Sequence, residues 1–307
     1  MSKLENLAWD LACKACESDN TILFEQACLT TAKNDLDWFF LRVLRIAIGH
    51  EAKAILNHMI SCGVDVKTLR PSDVATRPKP SIALLEFLLS HGWDINYRPD
   101  KSPGSQPFLW FVTSDDALVK WCLDHGANVS TPKGSRSCDP ILETCANSGN
   151  LASFKLLRSK GAPLGRRTLH KAVEMAAWGH TGSSNPEKDT EQQRQCRTKH
   201  AEHIMMVRYL LNVVGLDVNA PDRPPGCKKG MHSAWGTPIC YIPGCGMPER
   251  DARELTWLLL DRGADPAPAL QIAKEDGNAI FAEDVNAWKA QKGSEKEQKP
   301  KHSCCLQ

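Results

Sequence analysis

The sequence predicts an all-α protein built from repeated helix-turn units, and three observations support this prediction. Apolar residues stand four positions and seven or eight positions before each of six glycines, which is the spacing of a helix with one buried face. Glycine ends a helix readily because it has no Cβ to clash in the left-handed conformation. Asp or Asn two residues after most of these glycines favours a turn. The six glycines are Gly63, Gly92, Gly126, Gly161, Gly215 and Gly263.

The apolar positions form the predicted core of these units. The residues four positions before the glycines are Met59, Leu88, Cys122, Leu157, Leu211 and Leu259. The earlier positions are Leu56, Leu85, Val119, Phe154, Val207 and Leu255. The helix from 207 to 215 holds one extra residue before its glycine.

A second phrase marks the start of several units. Thr237–Cys240 reads Thr-Pro-Ile-Cys, and Asp139–Leu142 and Gln106–Leu109 are looser versions of it. Leu169–Ala172 reads Leu-His-Lys-Ala. Together with the glycine spacings of 34 and 35 residues, this phrasing resembles the ankyrin repeat, a unit of about 33 residues that opens with Thr-Pro-Leu-His-x-Ala.

The resemblance covers roughly residues 50 to 288 and implies an ankyrin-like α-solenoid of about six repeats, with short β-hairpin fingers and helical caps. The first two units lack the Thr-Pro opening, and Arg158 stands where a leucine is expected. A generic helical solenoid therefore stays open as an alternative for the N-terminal part.

The predicted organisation has four parts. Residues 1–49 form a helical N-terminal cap or degenerate repeats, and 50–267 form the repeat array. Residues 268–288 form C-terminal capping helices, and 289–307 form a flexible basic tail with five lysines and two glutamates. The array carries two insertions, a polar mobile loop at 179–199 and a long finger at 220–236.

Composition excludes several classes of function. The formal net charge of +2 provides no global field for nucleic acid, and no apolar run approaches the length of a membrane span. Signal-peptide features are missing from the N-terminus, so the 13 cysteines are expected to be reduced thiols in a cytoplasmic protein. Known catalytic signatures are also missing, which predicts no enzyme, no cofactor and no small-molecule substrate.

One cluster has the composition of a metal site. Cys227, His232, Cys240 and Cys245 supply thiolates and an imidazole, which are zinc ligands, although their spacing matches no familiar pair. A zinc-dependent protein is therefore a secondary alternative. His170 is instead expected to make structural hydrogen bonds, because it stands where the ankyrin phrase has its histidine.

The finger at 220–236 predicts a partner-binding surface, because long ordered loops tend to be functional. It combines basic side chains with an aromatic residue at its base. Solvated surface lysines and arginines are the alternative interpretation. The candidate residues are Arg223, Lys228, Lys229, Met231, His232 and Trp235.

The last four residues fit a prenylation box. Cys304 is followed by Cys305, Leu306 and Gln307, and a terminal Gln favours farnesyl. One lipid binds membranes reversibly, so the neighbouring lysines would act as a second signal.

These observations predict a non-catalytic scaffold or adaptor with a protein partner, farnesylated at Cys304 and held at the cytosolic face of a membrane. The first alternative is a soluble cytoplasmic or nuclear adaptor that carries no lipid.

Overall fold

The computed structural model describes the chain as helices joined by turns, without a strand among the described residues. The predicted all-α class is therefore confirmed for this part of the chain. The predicted β-hairpin fingers are wrong wherever their turns are described, because those turns carry no strand pairing. The described residues are 3–31, 36–75, 79–98, 106–130, 138–179, 187, 189–223, 236–245 and 252–297.

The chain divides into two compact units, Met1–Cys138 and Asp139–Gln307. Within the described residues each unit contains four successive helix pairs, and a helix pair with the turn that follows it is called a module below.

The first unit stacks its modules through the first helix of each pair, since α1 packs on α3, α3 on α5 and α5 on α7. The second helices α2 and α4 also pack on each other. A short 3₁₀ segment, Val66–Thr68, precedes α5. The helices are α1 Lys3–Ser18, α2 Thr21–Thr30, α3 Leu36–Gly49, α4 Lys53–Ser61, α5 Pro71–Val74, α6 Ile82–Ser90, α7 Phe108–Phe111 and α8 Asp116–Asp124.

The second unit repeats this arrangement, with α9 packed on α11, α11 on α13 and α13 on α15. A 3₁₀ turn, Pro238–Cys240, leads into α13, and α12 continues as a π-helical segment, Leu210–Val214. The helices are α9 Ile141–Ser148, α10 Leu151–Ser159, α11 Thr168–Ala177, α12 Glu191–Tyr209, α13 Tyr241–Cys245, α14 Arg253–Asp261, α15 Ala267–Glu275 and α16 Ala279–Glu297.

The predicted helix stops are confirmed. All six glycines have left-handed φ values, between 75° and 93°. In five modules the backbone amide of the residue after the glycine donates a hydrogen bond to the carbonyl of the residue four positions before the glycine. Val64 N donates to Met59 O at 3.0 Å, and Ala264 N donates to Leu259 O at 3.0 Å. This bond satisfies a carbonyl that the helix end would leave unpaired. The predicted core positions before the glycines are all buried.

The sixth stop absorbs the extra residue found in the sequence. Leu216 N donates to Leu210 O, one residue further back than in the other modules, at 3.1 Å. The π-helical segment Leu210–Val214 accommodates this shift, since a π-turn holds one more residue than an α-turn. Leu210 is fully buried and Leu211 is 8% exposed, so Leu210 takes the core position that the sequence assigned to Leu211.

In five of the six modules, all but the one that ends at Gly161, the turn after the glycine is closed by an Asx hydrogen bond. Asp65 Oδ1 accepts from Lys67 N at 2.9 Å, and Asp217 Oδ1 accepts from Asn219 N at 2.8 Å. Asp94, Asn128 and Asp265 make the same bond. The side chain therefore fixes the turn that redirects the chain, as the sequence predicts.

At one place in each unit, an asparagine four positions after the glycine links its module to the next one. Asn96 Nδ2 donates to Gly126 O at 3.0 Å, and its Oδ1 accepts from Asn128 N at 2.8 Å. Asn219 in the second unit makes the equivalent pair with Gly263 O at 2.9 Å and Asp265 N at 2.9 Å. The same register between neighbouring modules therefore occurs in both units.

The opening phrases precede helices as expected. Pro107 and Pro140 are the N-cap residues of α7 and α9, and Pro238 opens the 3₁₀ turn before α13. Proline suits these places because the first helical amides have no intrahelical acceptor. The Leu169–Ala172 phrase lies inside α11.

The N-terminal helices are modules with the same inter-helix turn. Asp19 and Glu51 both have positive φ values, 49° and 54°, in the turns before α2 and α4. The Asp19 carboxylate accepts from Ala54 N and Ile55 N at 3.1 Å, which caps the helix of the next module. The predicted boundary between 49 and 50 falls between α3 and α4, two helices of one module.

Two predicted flexible regions are partly helical. The 179–199 insertion was expected to be a loop, but α12 begins at Glu191 with a capping box between Thr190 and Gln193. Polar composition concealed this helix, whose first turns contact little of the core. The predicted flexible tail from 289 is also wrong up to Glu297, because α16 extends that far. Lys292 Nζ lies 3.3 Å from Asp261 Oδ1 on α14 and helps to hold this extension.

Candidate interaction site

The two ends of the predicted finger at 220–236 lie against each other. Asp222 N donates to Gly236 O at 3.0 Å, and Gly236 N donates to Asp222 Oδ2 at 3.0 Å. Two hydrogen bonds therefore join the start of the finger to its end. The residues around this pair of bonds are called the finger base.

His170 lies directly under the finger base. Its buried Nε2 is 3.0 Å from Ala220 O and 3.1 Å from Gly236 O. Both partners are carbonyl oxygens, so Nε2 carries the proton and donates to them. Burial lowers the pKa of His170 and keeps the ring neutral. The histidine thus fastens both ends of the finger, which agrees with the structural role expected from its place in the sequence.

A buried polar chain extends the finger base across three modules. Tyr241 Oη donates to Asp222 Oδ2 at 2.9 Å, and Arg167 Nη2 donates to Tyr241 Oη at 3.2 Å. Burial raises the pKa of Tyr241 to about 12, so its hydroxyl stays protonated. Buried Glu143 on α9 accepts from Arg167 N at 2.7 Å. These bonds connect the finger base to α9 and α13, and breaking one of them would leave a buried polar group unpaired at a cost in stability.

Of the six residues predicted to form the finger surface, Arg223 is the one that lies among the described residues. Its side chain is partly buried, and its Nε lies 3.8 Å from Asp222 Oδ1. Arg223 therefore belongs to the finger base as well as to the predicted surface. Lys228, Lys229, Met231, His232 and Trp235 lie outside the described residues.

The predicted metal ligands are mostly beyond the described part of the chain. Cys227 and His232 lie outside it, and so does the side chain of Cys245. Cys240 is buried, with Sγ 3.4 Å from Thr237 Oγ1, and burial raises the pKa of its thiol. A raised thiol pKa disfavours the thiolate that zinc requires. The described residues contain no group of three or more His, Cys, Asp or Glu side chains suited to a metal.

The lipid site is also outside the described residues, since Cys304 follows the last of them. Three lysines that were assigned to the basic tail, Lys289, Lys292 and Lys296, lie on α16 instead. No helix in the described ranges is both long and apolar enough to cross a bilayer.

Sequence patterns did not reveal Arg167, Asp222 and Tyr241 as a cluster. They are 55 and 19 residues apart along the chain, and only the stacking of α11 on α13 brings them together. The one available signal was the His170 phrase, which indicates a hydrogen bond but not its acceptors. The chain matches no protein-family model and no curated protein at a significant level of similarity.

Proposed function

We propose that this chain is a non-catalytic protein-binding scaffold of the ankyrin-like kind. The observation that carries the proposal is the link between modules made by Asn96 and again by Asn219, with the same acceptor and donor positions. Repeats stacked in one register give each unit a continuous surface, which is how repeat proteins bind other proteins. The step from repeats to protein binding is an analogy of fold and needs its own test.

The finger at 220–236 is the part proposed to select the partner. Its ends are held by His170 and by the paired bonds of Asp222 and Gly236. Fixed ends reduce the conformational entropy that a loop loses when it binds, which favours recognition. The proposed contacts are Arg223, Lys228, Lys229, Met231, His232 and Trp235.

Affinity capture tests this function. Residues 224–235 are replaced by a Gly-Ser segment of equal length, which leaves the finger base intact. The matched control replaces residues 181–186, between α11 and α12, in the same way. We expect specific partners of the full chain to be recovered with the control and lost with the finger replacement. Recovery of the same partners by all three chains would contradict the role of the finger.

Farnesylation of Cys304, with residence at a cytosolic membrane face, stays a proposal from the sequence. Intact mass and membrane fractionation of the full chain and Cys304→Ser test it, and Cys196→Ser, which removes an exposed cysteine on α12, is the control. A lipid mass that only Cys304→Ser abolishes supports the tether. An unmodified chain with an unchanged distribution supports the soluble adaptor.

A further inference from the structure

The second helices of the first two modules, α2 and α4, pack on each other and run in the same direction. Asp19, just before α2, caps the start of α4 by accepting from Ala54 N and Ile55 N at 3.1 Å. One turn further along, the rings of Phe24 and His58 meet edge to face with their centroids 5.6 Å apart. Because these contacts join residues 34 to 36 positions apart in the sequence, the two helices advance together from their first turns.

Cys28 and Cys62 occupy the next turn of this helix pair. Cys28 follows Phe24 by four residues on α2, and Cys62 follows His58 by four residues at the end of α4, where its amide still donates to His58 O. Residues four apart lie on the same face of a helix, so the two thiols face each other across the interface. Cα atoms of α2 and α4 approach within 8 Å, and a disulfide joins Cα atoms up to about 6.8 Å apart.

The electrostatics of Cys28 agree with this placement. Burial raises the pKa of Cys28 to about 11, and the charges of Cys62 and Glu25 contribute to the rise. A charge that shifts a pKa in this way lies close to the group that it affects. Both cysteines are free thiols, with Cys28 half-buried and Cys62 exposed. An oxidant in solution therefore reaches Cys62 first and finds Cys28 beside it.

We propose that Cys28 and Cys62 form a reversible disulfide that braces the first two modules, with hydrogen peroxide as the oxidant. The Cys62 thiolate attacks one peroxide oxygen and releases hydroxide, which leaves a sulfenic acid on Cys62. The Cys28 sulfur then attacks the Cys62 sulfur and displaces the sulfenic oxygen as hydroxide, which takes up the Cys28 proton. In total, two thiols and one hydrogen peroxide give one disulfide and two water molecules. The two sulfur atoms supply the two electrons that the peroxide accepts.

The environment of Cys28 suits the second of these steps. Its raised pKa keeps it protonated at neutral pH, so it reacts slowly with peroxide by itself. Once Cys62 is a neutral sulfenic acid, the charge that helped to raise the pKa of Cys28 is gone, and Cys28 loses its proton more readily. The disulfide restricts the unfolded chain and thereby stabilises the folded modules. This inference does not depend on the proposed protein-binding function.

Peptide mapping of the full chain tests the proposal. The reduced protein is treated with a small excess of hydrogen peroxide, blocked with N-ethylmaleimide, and cut with trypsin and Glu-C. These enzymes place Cys28 in peptide 26–33 and Cys62 in peptide 54–67, each without a second cysteine. We expect these two peptides to be recovered joined to each other from monomeric protein, and to separate again when a reductant is added before digestion.

Two variants test the order of the steps, and two more serve as controls. In Cys28→Ser the sulfenic acid on Cys62 has no partner, so dimedone should label Cys62 at least about fivefold more than in the unmodified chain. In Cys62→Ser, dimedone should leave Cys28 unlabelled. The controls are Cys13→Ser, at a half-buried cysteine on α1, and Cys196→Ser, at an exposed cysteine on α12. Both should form the disulfide as fast as the unmodified chain.

Thermal unfolding, followed by circular dichroism, tests the bracing effect. Oxidation should raise the midpoint of the full chain by about 5 °C or more and leave the midpoints of Cys28→Ser and Cys62→Ser unchanged. An unchanged midpoint in the oxidised full chain would overturn the bracing role. The disulfide itself is overturned if the joined peptides are absent, if they come from a cross-linked dimer, or if Cys62 pairs with Cys13 or Cys196 as readily as with Cys28.

Discussion

At the scale of single residues, the glycine stops are positions where the backbone selects the amino acid. Gly126 has a φ of 82°, and no atom lies within 4 Å of a Cβ placed on it. Alanine would therefore meet only the backbone strain of the left-handed conformation. We expect Gly126→Ala to lower the free energy of unfolding by about 1 kcal/mol, measured by urea denaturation.

Gly49 is the matched control for this substitution. It ends α3 without a positive φ, and a Cβ there also meets nothing within 4 Å. Gly49→Ala should leave stability unchanged or raise it by up to about 1 kcal/mol, because alanine favours helix. Equal effects at both positions would contradict the assignment of Gly126 as a conformational stop.

His203 predicts a dependence of stability on pH. The ring is buried on α12, Nδ1 has no hydrogen-bond partner among the described residues, and a Cβ on Gly149 would lie 2.6 Å from it. Burial, with Lys199 nearby, lowers the pKa of His203 from 6.5 to about 4. Between pH 6.5 and 4 the unfolded chain therefore binds a proton at His203 that the folded chain does not bind. The free energy of unfolding falls as the pH drops through this range.

The expected loss from this one group is about 2 kcal/mol between pH 7.5 and 4.5. Urea unfolding at the two pH values measures it. His203→Leu should remove that share of the pH dependence, whereas His50→Gln, at an exposed histidine, should retain it. An unchanged pH dependence in His203→Leu would show that the folded chain protonates this ring freely.

The glycine helix stops and the buried apolar positions could be predicted from residue types alone, because both follow from local helix geometry. His170 was also placed correctly by its phrase. Arg167, Asp222 and Tyr241 could not be found in this way, since their hydrogen bonds depend on the packing of α11 against α13. Local patterns contain no information on such distant pairs.

At the scale of helices, the π-helical segment after α12 can be tested by shortening it. Deletion of Val213, which is 65% exposed, places Leu210 four residues and Val207 seven residues before Gly215. This is the register of most other modules. We expect the shortened chain to fold with an unchanged or higher midpoint of thermal unfolding, measured by circular dichroism.

The matched deletion is Ser159, an exposed residue two positions before Gly161 in regular α10. Its removal rotates Phe154 and Leu157 away from the core, so we expect a loss of several kcal/mol by analogy with other disrupted core contacts. If both deletions destabilise equally, the π-helical segment is not a tolerated insertion.

Helix ends were harder to predict than helix positions. The Thr190 and Gln193 capping box stood in the sequence, but the polar residues around it indicated a loop. The end of α16 was missed for a similar reason, because Trp288 and Lys292 reach Asp261 on another helix. A contact between helices, rather than periodicity, therefore sets the end of α16, whereas α12 begins at a local capping box.

At the scale of the whole molecule, the links made by Asn96 and Asn219 predict where a local defect spreads. Each asparagine joins two modules of its own unit through two hydrogen bonds. In a stack of repeats stability depends on neighbouring interfaces. We expect Asn219→Ala to cost about 1 kcal/mol and to speed hydrogen exchange within 139–297 while leaving 3–130 unchanged.

Asn96→Ala should give the opposite pattern, with faster exchange in the first unit. Asn57→Ala, at an exposed position within α4, serves as the control and should change neither unit measurably. Equal acceleration in both units after either substitution would mean that they unfold together.

The repeated order of helix, stop and turn could be predicted for most of the chain, because each module specifies its own stop. The division near residue 138 could not, since the same phrase continues on both sides of it. The register between modules could not be predicted either, because the residue four positions after the glycine varies. Asn96 and Asn219 form hydrogen bonds to the next module, whereas Lys67 at the same position packs its side chain over Gly92.

The finger base formed by Asp222 and Gly236, together with His170, has a consequence for protein engineering. Because the two ends are fastened to the body, doubling the enclosed length costs only about 0.6 kcal/mol in closure entropy. Foreign peptides of different sizes can therefore be grafted between these anchor points, and the chain becomes a carrier that displays them at a constant position.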